Sequence, residues 1–426
     1  MGREWPKVRL GDHVDSCLGK MLDKEKNRGE LYPYLGNKNV RWGSFELDDL
    51  AEMRFEKNEH DRYGLRFGDL IVCEGGEPGR CAIWKDHIPG MKIQKALHRI
   101  RPLQGLNNYY LHYWFTEAYR TGILAPYFTG TTIQHLTGRA ISQLEIPLPP
   151  LAIQKRIASV LSSLDAKIDL NHQMNTTLET MAQALFKSWF VDFDPVIDNA
   201  MAAGNPIPEP FRARAEARKT LGDQRKPLPV AIQHQFPDRF VLTEEMGWVP
   251  EGWEVASFGS KIELAYGKSL AVSVRVPGLI PVYGSGGATG FHNAALVKGP
   301  GIIVGRKGTV GSLYWVEKDF FPIDTVFYVV NNSGLPLYWI YQALQLFDIR
   351  SMGEDSAVPG VNRNVIYSKK MVFPKLQALE EYSKQVSAMT SRKKALDTAN
   401  EALITLRDTL LPKLLSGELR IPEGEQ

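Results

Sequence analysis

Little in this 426-residue sequence is in excess, and each shortage removes a class of protein. Three cysteines, Cys17, Cys73 and Cys81, are too few for a disulfide framework and lack the paired spacing of a zinc site, so no structural metal and a reducing environment are expected. No apolar run approaches the roughly 18 residues of a membrane span. The opening "MGREWPKVRL" has no apolar core of a secretion signal, which points to the cytoplasm. Neither sign of charge dominates: 51 basic against 48 acidic side chains leave +3, so a polyanionic partner has to be met by local basic patches. With 43% hydrophobic and 23% charged residues the chain is neither disordered nor low-complexity, and its length suits two or three domains.

Catalytic signatures are also missing. Gly267-Lys268-Ser269 has the ending of a phosphate-binding loop, but the position five before Gly267 holds Ile262 instead of glycine. "YGSGGATG" from Tyr283 fails the dinucleotide spacing and reads as a turn, and "NPIPEP" at Asn205 is no amino-methylation motif. No residue is assigned a catalytic or metal-binding role.

What is present is repetition. "WPKVRLGDHVDSCLGKML" from Trp5 returns 248 positions later as "WEVASFGSKIELAYGKSL" from Trp253, matching Gly11 with Gly259 and Gly19-Lys20 with Gly267-Lys268. "FGDLIVCEGGEPGRCAIW" from Phe67 matches "KGPGIIVGRKGTVGSLYW" from Lys298, Tyr113-Trp114 return as Tyr338-Trp339, and "GTTIQHLTGRAI" from Gly130 parallels "DSAVPGVNRNVI" from Asp355. Because the order of blocks is kept, each half repeats as a module. Short Val-, Ile-, Tyr- and Phe-rich stretches between Gly and Pro clusters predict mostly β modules, each with a helix near "YYLHYWFTEAYR" or "PLYWIYQALQLF". The Gly-x-x-Gly elements at Gly76 and Gly308 read as hairpin turns, and Trp114 and Trp339 as core.

After Pro147, Pro149 and Pro150, and again after Pro374, the apolar period changes to that of a helix. A heptad seam runs through Ile157, Leu161, Leu164 and Ile168 to Trp189, and a second from Leu379 and Tyr382 to Leu414. Each carries polar interruptions, Asn171 and Asn175 in one and Lys393 and Asn400 in the other, of the kind that fix register between helices. The alternative is that each helix only packs on its own module. The expected class is therefore α+β: two similar mostly β domains joined by two long helices in an antiparallel coiled coil, with a pseudo-twofold internal repeat. The expected divisions are 1–148, a spacer helix over 149–190, a crossover linker over 191–250 with a short helix from Phe211 to Arg218 whose charges are solvated, a second module over 251–374, and a distal helix and tail over 375–426. "LFKSWFVDF" concentrates Phe186, Trp189, Phe190 and Phe193; either a partner protein or the linker covers them.

Together "WPKVRLGD", "WEVASFG", "GDLIVCEGGEPG", "GIIVGRKGTVG", "GTTIQHLTGRAISQLEIPLPPLAIQKRIASVLSSLDAKID" and "ALFKSWFVDFDPV" resemble the specificity subunit of type I restriction-modification enzymes over nearly the whole chain. The resemblance implies two target recognition domains, each reading half of a bipartite, asymmetric sequence in double-stranded DNA, and helical spacers that set the gap and dock modification subunits, two of them expected. It also implies that S-adenosylmethionine, ATP and Mg are used by the modification and restriction subunits, and that this chain is not an enzyme and carries no cofactor. A two-headed adaptor binding protein or glycan is the alternative from another class.

Base edges are read by bidentate donors and acceptors on protruding loops, and phosphates by Lys, Arg and amides. In the first module "LGNKNVRW" offers Asn37, Lys38 and Arg41, "MKIQKALHRIR" offers Lys92, Gln94 and Lys95, and "TGTTIQHL" offers Thr131, Thr132 and Gln134. In the second, Lys268, Ser285, Arg306, Lys307, Thr309, Asn362, Arg363 and Asn364 are the candidates.

Overall fold

A computed structural model describes residues 5–23, 27–222, 227–353 and 360–421. They fall into two units, residues 1–173 with 396–426, and residues 174–395. In the first unit β1 (Lys7–Arg9) pairs antiparallel with β9 (Glu145–Pro147), tying the start of the module to its end. Between them, β2 (Val14–Leu18), β3 (Glu30–Leu35), β4 (Ala51–Phe55), β5 (Leu70–Cys73), β6 (Cys81–Ile83), β7 (Lys92–Ile93) and β8 (Leu97–Pro102) form a four-stranded sheet ordered β2-β8-β5-β6 and a three-stranded sheet ordered β4-β3-β7. Three helices complete the module: α1 (His60–Tyr63), α2 (Asn108–Arg120) and α3 (Gly138–Gln143).

The run "LIVC" of β5 does not alternate polar and apolar because both faces of the strand are covered. Leu70 and Val72 point into a core shared with Tyr110 and Trp114 of α2, whereas Ile71 and Cys73 meet Leu35 and Ile93 of the three-stranded sheet. The second unit repeats this, with helix α8 (Leu337–Gln345) as its counterpart of α2. After the linker hairpin β10 (Phe240–Thr243) and β11 (Gly247–Pro250), strands β12 (Glu254–Ser257), β13 (Ile262–Tyr266), β14 (Ile280–Gly284), β15 (Gly287–His292), β16 (Gly301–Gly305), β17 (Leu313–Val316), β18 (Phe321–Pro322), β19 (Val326–Asn331) and β20 (Lys370–Phe373) give sheets ordered β13-β19-β16-β17 and β15-β14-β18, and a β12-β20 pair. Ile302 and Val304 of β16 join one core and Ile303 another.

The repeated Gly-Lys phrase has a steric cause. A Cβ on Gly19 would lie 2.3 Å from the Gln94 carbonyl oxygen, and one on Gly267 would lie 2.1 Å from that of Ile323, so neither strand end has room for a side chain. The following lysines diverge. Lys20 is buried on Glu59 at 2.5 Å, whereas Lys268 is exposed.

α4 (Leu151–Phe190) and α10 (Leu376–Ser416), 40 and 41 residues long, contribute to both units. In the first unit their segments run antiparallel, with Asp165 ion-paired to Arg407 at 2.9 Å and the Asn171 amide donating to Asn400 Oδ1 at 2.7 Å. In the second, Glu179 meets Lys393 at 2.8 Å in the same sense. The polar interruptions Asn171, Asn400 and Lys393 thus pair across the seam, which sets the helix register. No described helix is long and apolar enough to cross a membrane.

The linker differs from expectation. It forms α5 (Asp194–Ala203), α6 (Glu209–Leu221) and α7 (Val230–Gln233), and the charges of α6 are not merely solvated: Arg214 pairs with Asp194 at 2.6 Å and Arg218 with Asp198 at 2.5 Å. Val196, Phe236 and Val249 enter the same core as Trp253, and with them Phe186, Trp189, Phe190 and Phe193 are buried at 2%, 2%, 3% and 7% exposure. These four aromatic residues are therefore not a partner surface, because the chain's own linker and second module cover them. The segment from Asp355 to Pro359, where the repeat was expected to continue, lies outside the described residues, as do residues 1–4 and 422–426.

The Asn171–Asn400 pair is expected to behave as a unit. Asn171→Ala alone strands a buried amide and should cost about 1–3 kcal/mol, whereas Asn171→Leu combined with Asn400→Leu should recover most of that loss. Urea denaturation midpoints of the two variants check it.

Candidate nucleic-acid interface

In the second module the end of β13, the mouth of the β16–β17 hairpin and the start of α9 (Arg363–Ser368) come together. The Val361 amide donates to the Arg306 carbonyl at 3.0 Å, and Lys307 bridges Gly360, so chain segments far apart in sequence share one edge. Tyr266 is half exposed there. The Arg306 guanidinium lies 5.1 Å from its ring and that of Arg363 lies 5.0 Å from it, distances at which a cation is attracted to the ring face. Arg306 Nη2 donates to the Asp324 carbonyl at 2.7 Å, and Arg363 Nη1 to that of Leu264 at 3.3 Å. Among the described residues none of Lys268, Arg306, Lys307 and Arg363 has a carboxylate partner. Asn362 caps α9 by accepting the Asn364 amide at 3.0 Å, and Asn364, Lys307 and Thr309 are exposed beside it. Gly308 and Gly311, with φ of +81° and +74°, make the hairpin turn that carries Lys307 and Thr309. Ser285 departs from expectation: it is buried, its Oγ accepts the Thr309 amide at 3.3 Å and its carbonyl accepts Ser312 and Tyr314 hydroxyls, so it braces the loop.

The first module has a different electrostatic character at its candidate residues. Lys38 is paired with Asp49 at 2.5 Å, and Arg41 is held by Glu46 through two bonds of 2.9 and 2.6 Å. Both pairs are solvent-exposed, with the Lys38 and Arg41 side chains 63% and 43% exposed, so each cation is shared with a carboxylate while remaining in reach of solvent. Lys92 is 4% exposed with its ammonium 5.0 Å from the Tyr32 ring centre, and burial lowers its pKa, so it belongs to the module interior. Asn37 donates to the Gly75 carbonyl at 3.1 Å and is half buried. Thr131, Thr132 and Gln134 are exposed, as is Lys95. Gln94 and Lys95 line a pocket of about 460 Å³ together with Met21, Leu22, Glu74 and Thr137. Sequence reasoning missed Tyr266, Glu74 and this pocket; the only advance signal was their place at the ends of the best-matched repeat blocks.

A second concavity of the first unit, about 750 Å³, lies along α2 and the long helices and is lined by Trp42, Tyr109, His112, Asp165 and Arg407 among others. The Tyr113 hydroxyl donates to Asp165 at 2.5 Å. His112 is buried with Nδ1 3.4 Å from Cys81 Sγ, and burial pushes its pKa down to about 4 against the opposing pull of Asp165.

Comparison with known proteins agrees with this architecture. A family model described as the type I restriction modification DNA specificity domain matches residues 2–180. The HindI type I specificity subunit of Haemophilus influenzae is 25% identical over 336 residues, spanning 68% of this chain and 72% of that one. The MjaIX specificity subunit of Methanocaldococcus jannaschii is 25% identical over 374 residues, spanning 84% and 78%. The chain is thus similar to type I specificity subunits along most of its length. The crystal structure of a type I restriction-modification S subunit from M. genitalium shares the fold, with a TM-score of 0.55 at 19% identity over 99% of this chain and 97% of that one. The family match ends at residue 180, and the second module shares the strand order of the first.

The buried His112 has a consequence for stability. Folded, it stays neutral to about pH 4, whereas unfolded it takes a proton near its ordinary value of 6.5, so stability falls as pH drops through that window. The loss by pH 5 should be about 2 kcal/mol. Thermal midpoints measured from pH 7 to pH 5 should fall less steeply for His112→Gln than for the native chain.

Proposed function

We propose that this chain reads a bipartite DNA sequence, one half-site per module, and has no chemistry of its own. The observation that carries this reading is the surface around Tyr266: four cations with no acidic partner among the described residues, two of them against an aromatic ring, in a chain with near-zero net charge. Such a patch attracts phosphate by counterion release and presents forks suited to base edges. Methyl transfer and ATP-dependent cleavage, with S-adenosylmethionine, ATP and Mg, are assigned to modification and restriction subunits. Leu170 on α4 and Ile404 and Leu406 on α10 leave apolar surface exposed on the long helices, which supports docking of two modification subunits there. The adaptor reading has no support from the relatives compared above, which are specificity subunits.

Replacing residues 1–148 with the matching module of a relative is expected to change one half-site only, read by mapping methylated adenines in cells carrying the swapped chain. A change in both half-sites would contradict the division of labour. Removing one heptad from each long helix is expected to shorten the interval between half-sites, seen in the same maps. For Lys307→Ala, gel shifts across a salt series should show log affinity against log salt flattening by about 1 unit of slope, with sequence preference unchanged.

A further inference from the structure

The two modules place opposite chemistry at one fold position. The mouth of the β5–β6 hairpin corresponds to that of β16–β17: the Leu136 amide donates to the Glu74 carbonyl at 2.7 Å as that of Val361 does to Arg306, and Gly75 bridges His135 as Lys307 bridges Gly360. On the neighbouring strands Leu18 is opposite His98 where Tyr266 is opposite Phe327. Thr137 caps α3 where Asn362 caps α9, so Gly138 stands where Arg363 does. Backbone and register agree, and only the side chains differ. Arg306 is replaced by Glu74 and Arg363 by a residue without a side chain.

The consequences for a base edge are opposite. In the second module the two guanidiniums are held against Tyr266, and each donates to a main-chain carbonyl. Apart from the buried Arg306 Nε, the remaining N–H groups form an oriented donor surface, and a donor fork matches the O6 and N7 acceptors of guanine. In the first module Glu74 lines the 460 Å³ pocket, its side chain 16% exposed, with Oε2 buried and lacking a hydrogen-bond partner. His98 Nε2 is 3.7 Å away, beyond hydrogen-bond reach, and burial pushes the His98 pKa down to about 4, so it does not neutralise the carboxylate near pH 7. A carboxylate can only accept, and it repels both phosphate and the N7 of a purine. The base edge that satisfies it is the N4 amine of cytosine.

We propose that this one position selects guanine in the half-site met by the second module, through Arg306 and Arg363, and cytosine in the half-site met by the first, through Glu74. The inference rests on the DNA-reading role proposed above, and its test separates the two. The full chain, purified with its modification subunits, is used to enrich a randomised duplex library. Enrichment of a bipartite motif by the native complex tests DNA reading itself; no enrichment overturns that reading and this inference with it.

Given a motif, Arg306→Lys with Arg363→Lys keeps the charge and removes the forks. Preference for guanine in one half-site should fall about ten- to hundredfold, while non-specific affinity and its salt slope stay as in the native complex. Glu74→Gln replaces an acceptor pair by the donor-acceptor pair that suits adenine, and should move the other half-site from cytosine towards adenine. A uniform loss of affinity in the double-lysine variant, with base preference intact, would mean that the arginines hold phosphate. An unchanged motif in Glu74→Gln would mean that the pocket reads no base. Either result overturns the inference and leaves the DNA-reading role standing. Thermal midpoints equal to the native value show that the variants are folded.

Discussion

Everything that positions the candidate reading residues depends on a strand that is covered on both faces. β5 and β16 each divide their side chains between two cores, so neither strand can slip in register without moving apolar groups from one packed environment into the other. The hairpin leaving such a strand inherits its rigidity. Glu74 and Arg306 are the first residues past the double-sided burial, where the chain reaches the surface with its direction already fixed. A reading surface needs this combination, because discrimination between bases falls away when the reading groups can move by an ångström.

The duplication was legible because the features it preserves are steric. Glycines at Gly19 and Gly267 are demanded by a facing carbonyl, and the apolar blocks by two-sided burial, so both survive divergence and show in one sequence read against itself. The heptad seams were legible for the same reason: a stripe of apolar side chains has a period whatever lies opposite. The fate of the charges was not. Whether a lysine is open to phosphate depends on whether a carboxylate from elsewhere reaches it, and Lys20 finds Glu59 while Lys268, at the matched position, finds none among the described residues. Arg41 and Lys38 are exposed as the sequence suggests, but each has a carboxylate, Glu46 or Asp49, folded back on it. Local sequence reports that a charge is present, and only the tertiary fold decides whether it is already satisfied.

The linker shows a related limit. Its proline and glycine content suggested a segment without a core of its own, which holds for any stretch of it taken alone. The segment is ordered by what it covers: Val196, Phe236 and Val249 complete the burial of an aromatic cluster from α4 that no single helical seam can enclose. Arg214 and Arg218 then fix α6 on α5 through Asp194 and Asp198. The excess of aromatic residues in "LFKSWFVDF" was a true signal of missing cover, but the cover was intramolecular.

A duplicated scaffold also constrains how specificity is divided. If both modules kept the same side chains at the matched hairpin mouths, the chain would be limited to two equal half-sites, a palindrome-like target. Because the backbone at these positions is set by packing and not by the side chains that project from it, Arg306 and Glu74 can differ completely without strain on either fold. Asymmetry in the target thus requires no asymmetry in architecture. The cost falls instead on solvation: a buried carboxylate oxygen without a donor, and a guanidinium Nε without an acceptor, are tolerated in the free chain at both positions.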